Sequence, residues 1–217
     1  MELAEHFWAR DGGAETTIQY IFFTGGTGGP QRAVALAAAP ALAGAARLGD
    51  RAGVVGGLDV GAVTSPLWHV SGLVTDLLAP MTLGATIVLP AGLDAALDAF
   101  DATVVLASVQ AEGVTLLHTQ PHQLAAYARL SPAMRASHLL TACKGVSLGL
   151  AVAGYTDVPE RALAVPAYGL TETAAACFSG AAEDPPLLKA NSVGQPLVRP
   201  TSCLRCGVVS SGQRRRQ

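Results

Sequence analysis

Aromatic and charged residues are scarce in this chain. Of its 217 residues, 5% are Phe, Trp or Tyr and 14% are Asp, Glu, Lys or Arg, while half are apolar. That excludes a disordered, highly charged segment and predicts a globular chain whose small side chains, mostly Ala and Gly, pack closely. The length suffices for one good-sized core or two small ones. The net charge of −2 leaves no electrostatic footprint for a nucleic-acid partner. The basic cluster Arg214-Arg215-Arg216 reads as a solvated tail. No apolar run reaches membrane-spanning length, because Pro, Asp, His or Gly interrupts each one. The start, Met1-Glu-Leu-Ala-Glu-His6, is acidic and lacks a secretory signal's basic opening. A cytoplasmic location is therefore expected, with Cys143, Cys177, Cys203 and Cys206 as reduced thiols. Cys203-Leu-Arg-Cys206 has C-x-x-C spacing, but no second ligand pair lies near it, which argues against zinc.

Glycine, by contrast, is concentrated at one point. Tyr20-Ile-Phe-Phe23 is a strand-like apolar run that breaks into Thr24-Gly25-Gly26-Thr27-Gly28-Gly29-Pro30. The backbone N–H groups of such a loop can close around an anion, with the threonine hydroxyls adding hydrogen bonds. An ordinary turn between a strand and a helix has the same composition. The loop is not a Walker A motif, because Pro30 and Gln31 stand where Lys and Ser/Thr are required. Nor is it a dinucleotide fingerprint, because Gln31 occupies the third glycine's place.

Along the chain, β-rich and helical patterns alternate. Residues 17–23, 60–65, 85–89, 102–106, 114–118, 137–141 and 163–166 read as strands, and 31–48, 72–83, 93–100 and 120–130 as helices. Pro40 is expected to break or kink the first helix, and Pro121 to open the last. This alternation predicts an α/β fold with mostly parallel sheets flanked by helices. Ligands in such sheets gather at the carboxyl ends of strands, where the glycine loop lies.

The glycine loop resembles the phosphate-binding signature of the adenylate-forming superfamily, Ser/Thr-Gly-Ser/Thr-Thr-Gly-x-Pro-Lys-Gly. Thr24, Gly25, Thr27, Gly28 and Pro30 match it, while Gly26, Gln31 and Arg32 depart from it. Pro66-Leu-Trp-His-Val-Ser-Gly72 is similar to the acyl-CoA synthetases' Pro-Leu-Phe-His-x-x-Gly segment. Ala167-Tyr-Gly-Leu-Thr-Glu-Thr173 reproduces the Tyr-Gly-x-Thr-Glu motif, and Asn191-Ser-Val-Gly-Gln-Pro-Leu197 resembles the Ser-Val-Gly-x-Pro turn. Thr115-Leu-Leu-His-Thr-Gln-Pro121 is a looser likeness to a strand, proline and helix beside the acid. Residues 1–198 then resemble part of an AMP-binding (adenylation) domain, and 199–217 an irregular basic tail.

The resemblance implies a ligase that activates a carboxylic acid, with a fatty acid expected, using ATP and passing it to coenzyme A. Thr24, Gly25, Gly26, Thr27 and Gly28 would contact the phosphates. Tyr168 would stack on adenine, Gly169 would let the backbone pass close, and Thr171 would reach the α-phosphate. Thr171 and Glu172 would be catalytic, with Glu172 holding Mg²⁺, a hard cation suited to carboxylate and phosphate oxygens. Trp68, His69 and Gly72 would border the acid, although His69 also reads as a hydrogen-bonded histidine at a strand end. Leu139 to Ser147 stands where the superfamily has a Gly-Gly-Ala-Pro-like loop, and Ala142, Cys143 and Lys144 depart from it. No Asp or Glu follows Asp184 and no Lys follows Lys189, so the superfamily's ribose-binding Asp and the lysine of its mobile C-terminal domain are not in this sequence. A truncated or degenerate domain that binds nucleotide or acyl ligand weakly, without turnover, is the alternative.

Overall fold

Tyr20 and Phe22 fall on one side of an alternating apolar run, and that side becomes the inner face of β1 (Ile18–Thr24). In the computed structural model, which describes residues 18–24, 32–90, 100–137, 144–148 and 164–197, β1 pairs antiparallel with β2 (Arg32–Ala37). This corrects the expectation of a helix from Gln31. Val34 and Leu36 stand at alternate positions, half-buried, opposite Phe22 and Tyr20, with exposed Ala33 and Ala35 between them. Cross-strand contacts there override the helical propensity of alanine. Helix α1 (Ala38–Arg51) begins where the strand ends. Pro40 sits in its first turn, where no intrahelical N–H is needed, so the helix is not broken. Ala38, Ala41, Ala45 and Leu48 form the buried face.

β3 (Val60–Ala62) lies between β4 (Thr86–Val88) and β5 (Leu116–Leu117), parallel to both. The segment from β3 to β4 contains a π-helix, Ser71–Leu78, that runs into the short α2 (Ala79–Thr82). α1 approaches it closely: a Cβ on Gly49 would lie 2.8 Å from the Ala79 carbonyl oxygen. Residues 102–106, expected as a strand, are the first turns of α3 (Ala102–Glu112). Asp101 caps it, accepting from the Thr103 N–H at 2.8 Å and its hydroxyl at 2.6 Å, and Gly113 closes it at φ 64°. The caps decide against the β-branched run Thr103-Val104-Val105. The helix expected at 93–100 lies almost wholly in 91–99, outside the described residues. α4 (Pro121–Ala128) forms as expected, and α5 (Pro132–Ser137) follows. Ser137 thus ends a helix, and the rest of the strand expected at 137–141 is outside the described residues.

The sheet continues through Lys144, whose N–H donates to Thr115 O at 2.8 Å and whose carbonyl accepts from Leu117 N–H at 2.9 Å. β6 (Gly145–Leu148) follows and runs parallel to β7 (Ala164–Tyr168). The series β4–β3–β5–β6–β7 is therefore parallel, as the α/β reading expects. β8 (Phe178–Ser179) adds to it antiparallel and β9 (Gln195–Pro196) pairs antiparallel with β8, with α6 (Pro186–Asn191) between them in sequence. Among the described residues, no helix is long and apolar enough to cross a membrane.

Lys144 also ties the sheet to the α1–β3 connection. Its ammonium meets the Asp59 carboxylate at 2.8 Å and donates to Gly53 O at 2.6 Å. Asp59 further accepts from Val55 N–H at 2.7 Å and the Thr115 hydroxyl at 2.8 Å. Burial opposes its ionisation, but these donors prevail and hold the carboxyl below its ordinary value. Lys144→Met strands that carboxylate. It should cost about 2–3 kcal/mol in urea unfolding at neutral pH. The loss should fade as pH falls through the carboxyl's lowered titration.

Candidate functional site

Three of the sequence segments singled out leave the carboxyl end of a strand. β1 ends at Thr24, β3 leads into Ser65 to Gly72, and β7 ends at Tyr168. They converge on one apolar cluster, in which Phe22, Val70, Val74 and Ala175 are buried together. β2 lies against the turn Thr171–Thr173, so the hairpin carrying the glycine loop reaches the Tyr168–Glu172 segment. The Thr24 hydroxyl faces the Arg32 carbonyl at 3.5 Å, the outer limit of a hydrogen bond. Gly25, Gly26, Thr27 and Gly28 lie outside the described residues.

The Tyr168–Glu172 turn is tightly built. The Tyr168 carbonyl accepts from Cys177 N–H at 2.9 Å, and the Ala175 N–H reaches Leu170 O at 3.3 Å. Gly169 fits inside this loop only for lack of a side chain, since a Cβ would lie 1.9 Å from Ala175 O. Thr173 closes the 3₁₀ turn, its hydroxyl accepting from Leu170 N–H at 2.8 Å and donating to Leu170 O at 2.9 Å. Ala174 and Ala175 follow at φ 54° and 81°, left-handed conformations that strain an alanine. The Thr171 hydroxyl and the exposed Glu172 carboxylate, by contrast, have no partner among the described residues. The Tyr168 ring is 45% exposed. An aromatic face, a hydroxyl and a carboxylate thus stand uncommitted on a rigid turn, a set suited to a base, a phosphate oxygen and a hard cation.

The Pro66 to Gly72 segment is held from beneath. Gly72 is buried, and a Cβ there would lie 2.1 Å from Pro66 O, so its position is set by close backbone approach. Trp68 is exposed and stands edge-on to His69, ring centroids 6.2 Å apart. Burial holds the His69 imidazole below its usual pKa and therefore neutral. Its Nδ1 lies 2.7 Å from the Ser71 hydroxyl and accepts from the Ser71 N–H at 3.2 Å. Gln120 Nε2 donates to the Ser71 hydroxyl at 2.6 Å, and its N–H reaches Gln123 Oε1 at 2.8 Å. Gln123 Nε2 donates to Thr64 O at 3.1 Å. Asp76 accepts from the Thr64 and Ser65 N–H groups at 3.0 and 2.8 Å. The loosely matching Thr115 to Pro121 segment is thereby joined to His69. Ser71, Asp76, Gln120 and Gln123 were not singled out in the sequence. Their partners lie in distant segments, and the only local signal is Gln123 three residues after Gln120, at a helix start.

Burial pushes the Asp76 carboxyl up from 3.8 to about 7, against the Ser65 and Thr64 donors, and pushes His118 down from 6.5 to about 4. The signs oppose. Asp76 contributes stability below its unfolded pKa that is lost as pH rises toward 7; His118 contributes stability above 6.5 that is lost as pH falls toward 4. In Asp76→Asn the His118 trend, to which the lowered His69 adds one of the same sign, is no longer offset. Stability by urea unfolding should then rise with pH between these limits more steeply than in the unmodified chain, by on the order of 3 kcal/mol.

Two other sequence features take structural places. Gly145-Val-Ser-Leu-Gly149 has the Gly-x-Ser-x-Gly spacing of a hydrolase elbow. Ser147 lies within β6 opposite Pro166, not on a strand-to-helix turn, so the elbow geometry is absent. Gly194 of the Ser-Val-Gly turn sits at φ 85° against β8, where a Cβ would lie 2.0 Å from Gly180 N. Among the described residues no cluster of three or more His, Cys, Asp or Glu could hold a metal by itself. Cys177 is a free thiol, and Cys143, Cys203 and Cys206 lie outside the described residues.

Known proteins resemble this chain over most of its length. The chain is 29% identical over 189 residues to the acyl-CoA ligase sidI of Aspergillus fumigatus, covering 83% of this chain and 30% of that protein. It superposes on a malonyl-CoA ligase bound to methylmalonyl-CoA and AMP with a TM-score of 0.65 at 24% identity, covering 81% of this chain and 37% of that one. It superposes on the anthranilate CoA ligase AuaEII, in complex with anthranoyl-AMP, with a TM-score of 0.66 at 21% identity, covering 84% and 34%. These two likenesses show the fold, and the chain spans about a third of the length of each relative. The family described as AMP-binding enzyme matches over residues 8–214, and the chain belongs to that family.

Proposed function

We propose that this chain forms the nucleotide and acid site of an acyl-CoA ligase, with residues 1–198 as part of its adenylation domain. The carboxylate of the acid, a fatty acid in this reading, attacks the α-phosphate of ATP to give an acyl-adenylate and pyrophosphate. The thiol of coenzyme A then displaces AMP. The observation that carries the reading is the convergence of β1, the Pro66 to Gly72 segment and the loop after β7 on one cluster, through Phe22, Val70 and Ala175. Tyr168 offers its ring to adenine, Thr171 its hydroxyl to the α-phosphate, and Thr24 to Gly28 their hydroxyls and N–H groups to the remaining phosphates. Trp68 and His69 border the acid, and Gly72 brings the π-helix against that segment. Glu172 is a single exposed carboxylate and would hold Mg²⁺ together with the phosphates of a bound nucleotide, the usual setting for this cation. Bound there, the ion would neutralise phosphate charge; the chain's part is to orient the substrates.

Gln31 in the place of the loop lysine favours a second reading. In it the chain binds nucleotide or acyl ligand weakly, without turnover. Pyrophosphate release with Mg·ATP, coenzyme A and a panel of fatty and aromatic acids separates the two. Release that vanishes in Glu172→Ala supports the ligase. ATP binding by calorimetry without release supports the binding domain, and neither signal refutes both.

A further inference from the structure

Burial favours the neutral form of His69, in which one ring nitrogen bears a proton and the other does not. The Ser71 N–H can only donate, and it points at Nδ1 from 3.2 Å. The Ser71 hydroxyl, 2.7 Å from the same nitrogen, accepts from Gln120 Nε2 at 2.6 Å and keeps its own proton to give to the ring. The N–H contact requires an unprotonated Nδ1, and the hydroxyl fits that state by donating to it. The ring proton is therefore on Nε2, which has no partner among the described residues and belongs to a half-buried side chain beside the exposed Trp68. Ser71 is itself buried and Gln120 starts α4, so the relay is fixed at both ends by the fold.

We propose that Ser71 and Gln120 are positioning residues that lock His69 as its Nε2–H tautomer, so that the ring offers one N–H donor to the carboxylate of the acid. The acid half rests on the ligase reading above; the tautomer half does not. The lock weakens if its terminal donor becomes an acceptor. In Gln120→Glu the carboxylate takes the Ser71 proton, so the Ser71 oxygen favours a proton on Nδ1, while the Ser71 N–H still points at Nδ1 and favours the other tautomer. The ring should then populate both forms. Ser71→Ala leaves only the backbone N–H to set the tautomer and should give a mixture.

Nitrogen-15 NMR of the histidine-labelled full chain reads this directly, because protonated and unprotonated ring nitrogens resonate far apart. The expected result is a protonated Nε2 in the unmodified chain and both forms in Gln120→Glu and in Ser71→Ala. Octanoate or benzoate should shift the Nε2 resonance of the unmodified chain, with at least a tenfold weaker apparent affinity in both variants. A ring that carries its proton on Nδ1 in the unmodified chain overturns the proposal. So does a tautomer unmoved in Gln120→Glu, since that substitution keeps the side chain's size. If neither acid moves Nε2 while Mg·ATP binds, the donor role is refuted and the nucleotide reading stands. If the tautomer behaves as expected but Mg·ATP does not bind, the relay stands and the ligase reading falls.

Discussion

Gly169→Ala should be the most damaging single-methyl change in the described part of this chain that bears on the site. The added Cβ would lie 1.9 Å from Ala175 O and 2.5 Å from Ala176 Cα, both backbone atoms that no rotamer change can clear. Those atoms belong to a turn already strained at Ala174 and Ala175. The cost should reach about 3 kcal/mol, or roughly 10 °C in the thermal midpoint. Gly44→Ala is the control. Gly44 lies inside α1 with nothing within 4 Å of a built Cβ. There the same chemical change should stabilise, by roughly 0.5–1 kcal/mol. Thermal unfolding of both variants reads the contrast. Equal effects would contradict the account of the turn.

Glu172→Gln should leave stability almost unchanged, because the carboxylate is exposed and bonds to nothing else among the described residues. Its effect should fall on magnesium. On the ligase reading, pyrophosphate release should drop on the order of 100-fold, in line with losing a group that acts on developing charge. On the binding reading, the Kd for ATP should lose its dependence on Mg²⁺. Thr173→Ala is the opposite case. Its hydroxyl closes the turn through Leu170, so the variant should lose about 1 kcal/mol of stability and keep its metal response. Release assays, ATP titrations with and without Mg²⁺, and melting curves on the two variants separate chemistry from scaffolding.

What could be read in the sequence followed distance along the chain. The parallel arrangement was legible from alternating patterns, and Tyr168 to Glu172 from a compact motif. Two elements were misread for local reasons. Alanine-rich Arg32 to Ala37 is a strand because Tyr20 and Phe22 lie opposite it, a partnership local propensity cannot report. Thr103-Val104-Val105 is helical because Asp101 and Gly113 cap it, and those caps were legible in principle. Lys144 read as a departure from an adenine-facing loop and proves to be the ion partner of Asp59. The polar chain from His69 to Asp76 was invisible for a different reason. It joins the ends of β3 and β5 and the starts of the π-helix and α4, and only the sheet order places those together.

The central claim is that the glycine hairpin and the Tyr168–Glu172 turn grip one nucleotide. Amide chemical-shift mapping of the isotope-labelled chain under titration with Mg·ATP tests it most directly. The account predicts that resonances around Thr24 and Arg32 and those of Tyr168 to Glu172 move together with one Kd. It further predicts that Glu172 responds to ATP only when magnesium is present. Shifts confined to one of the two segments, two different affinities, or no shift at either would contradict it.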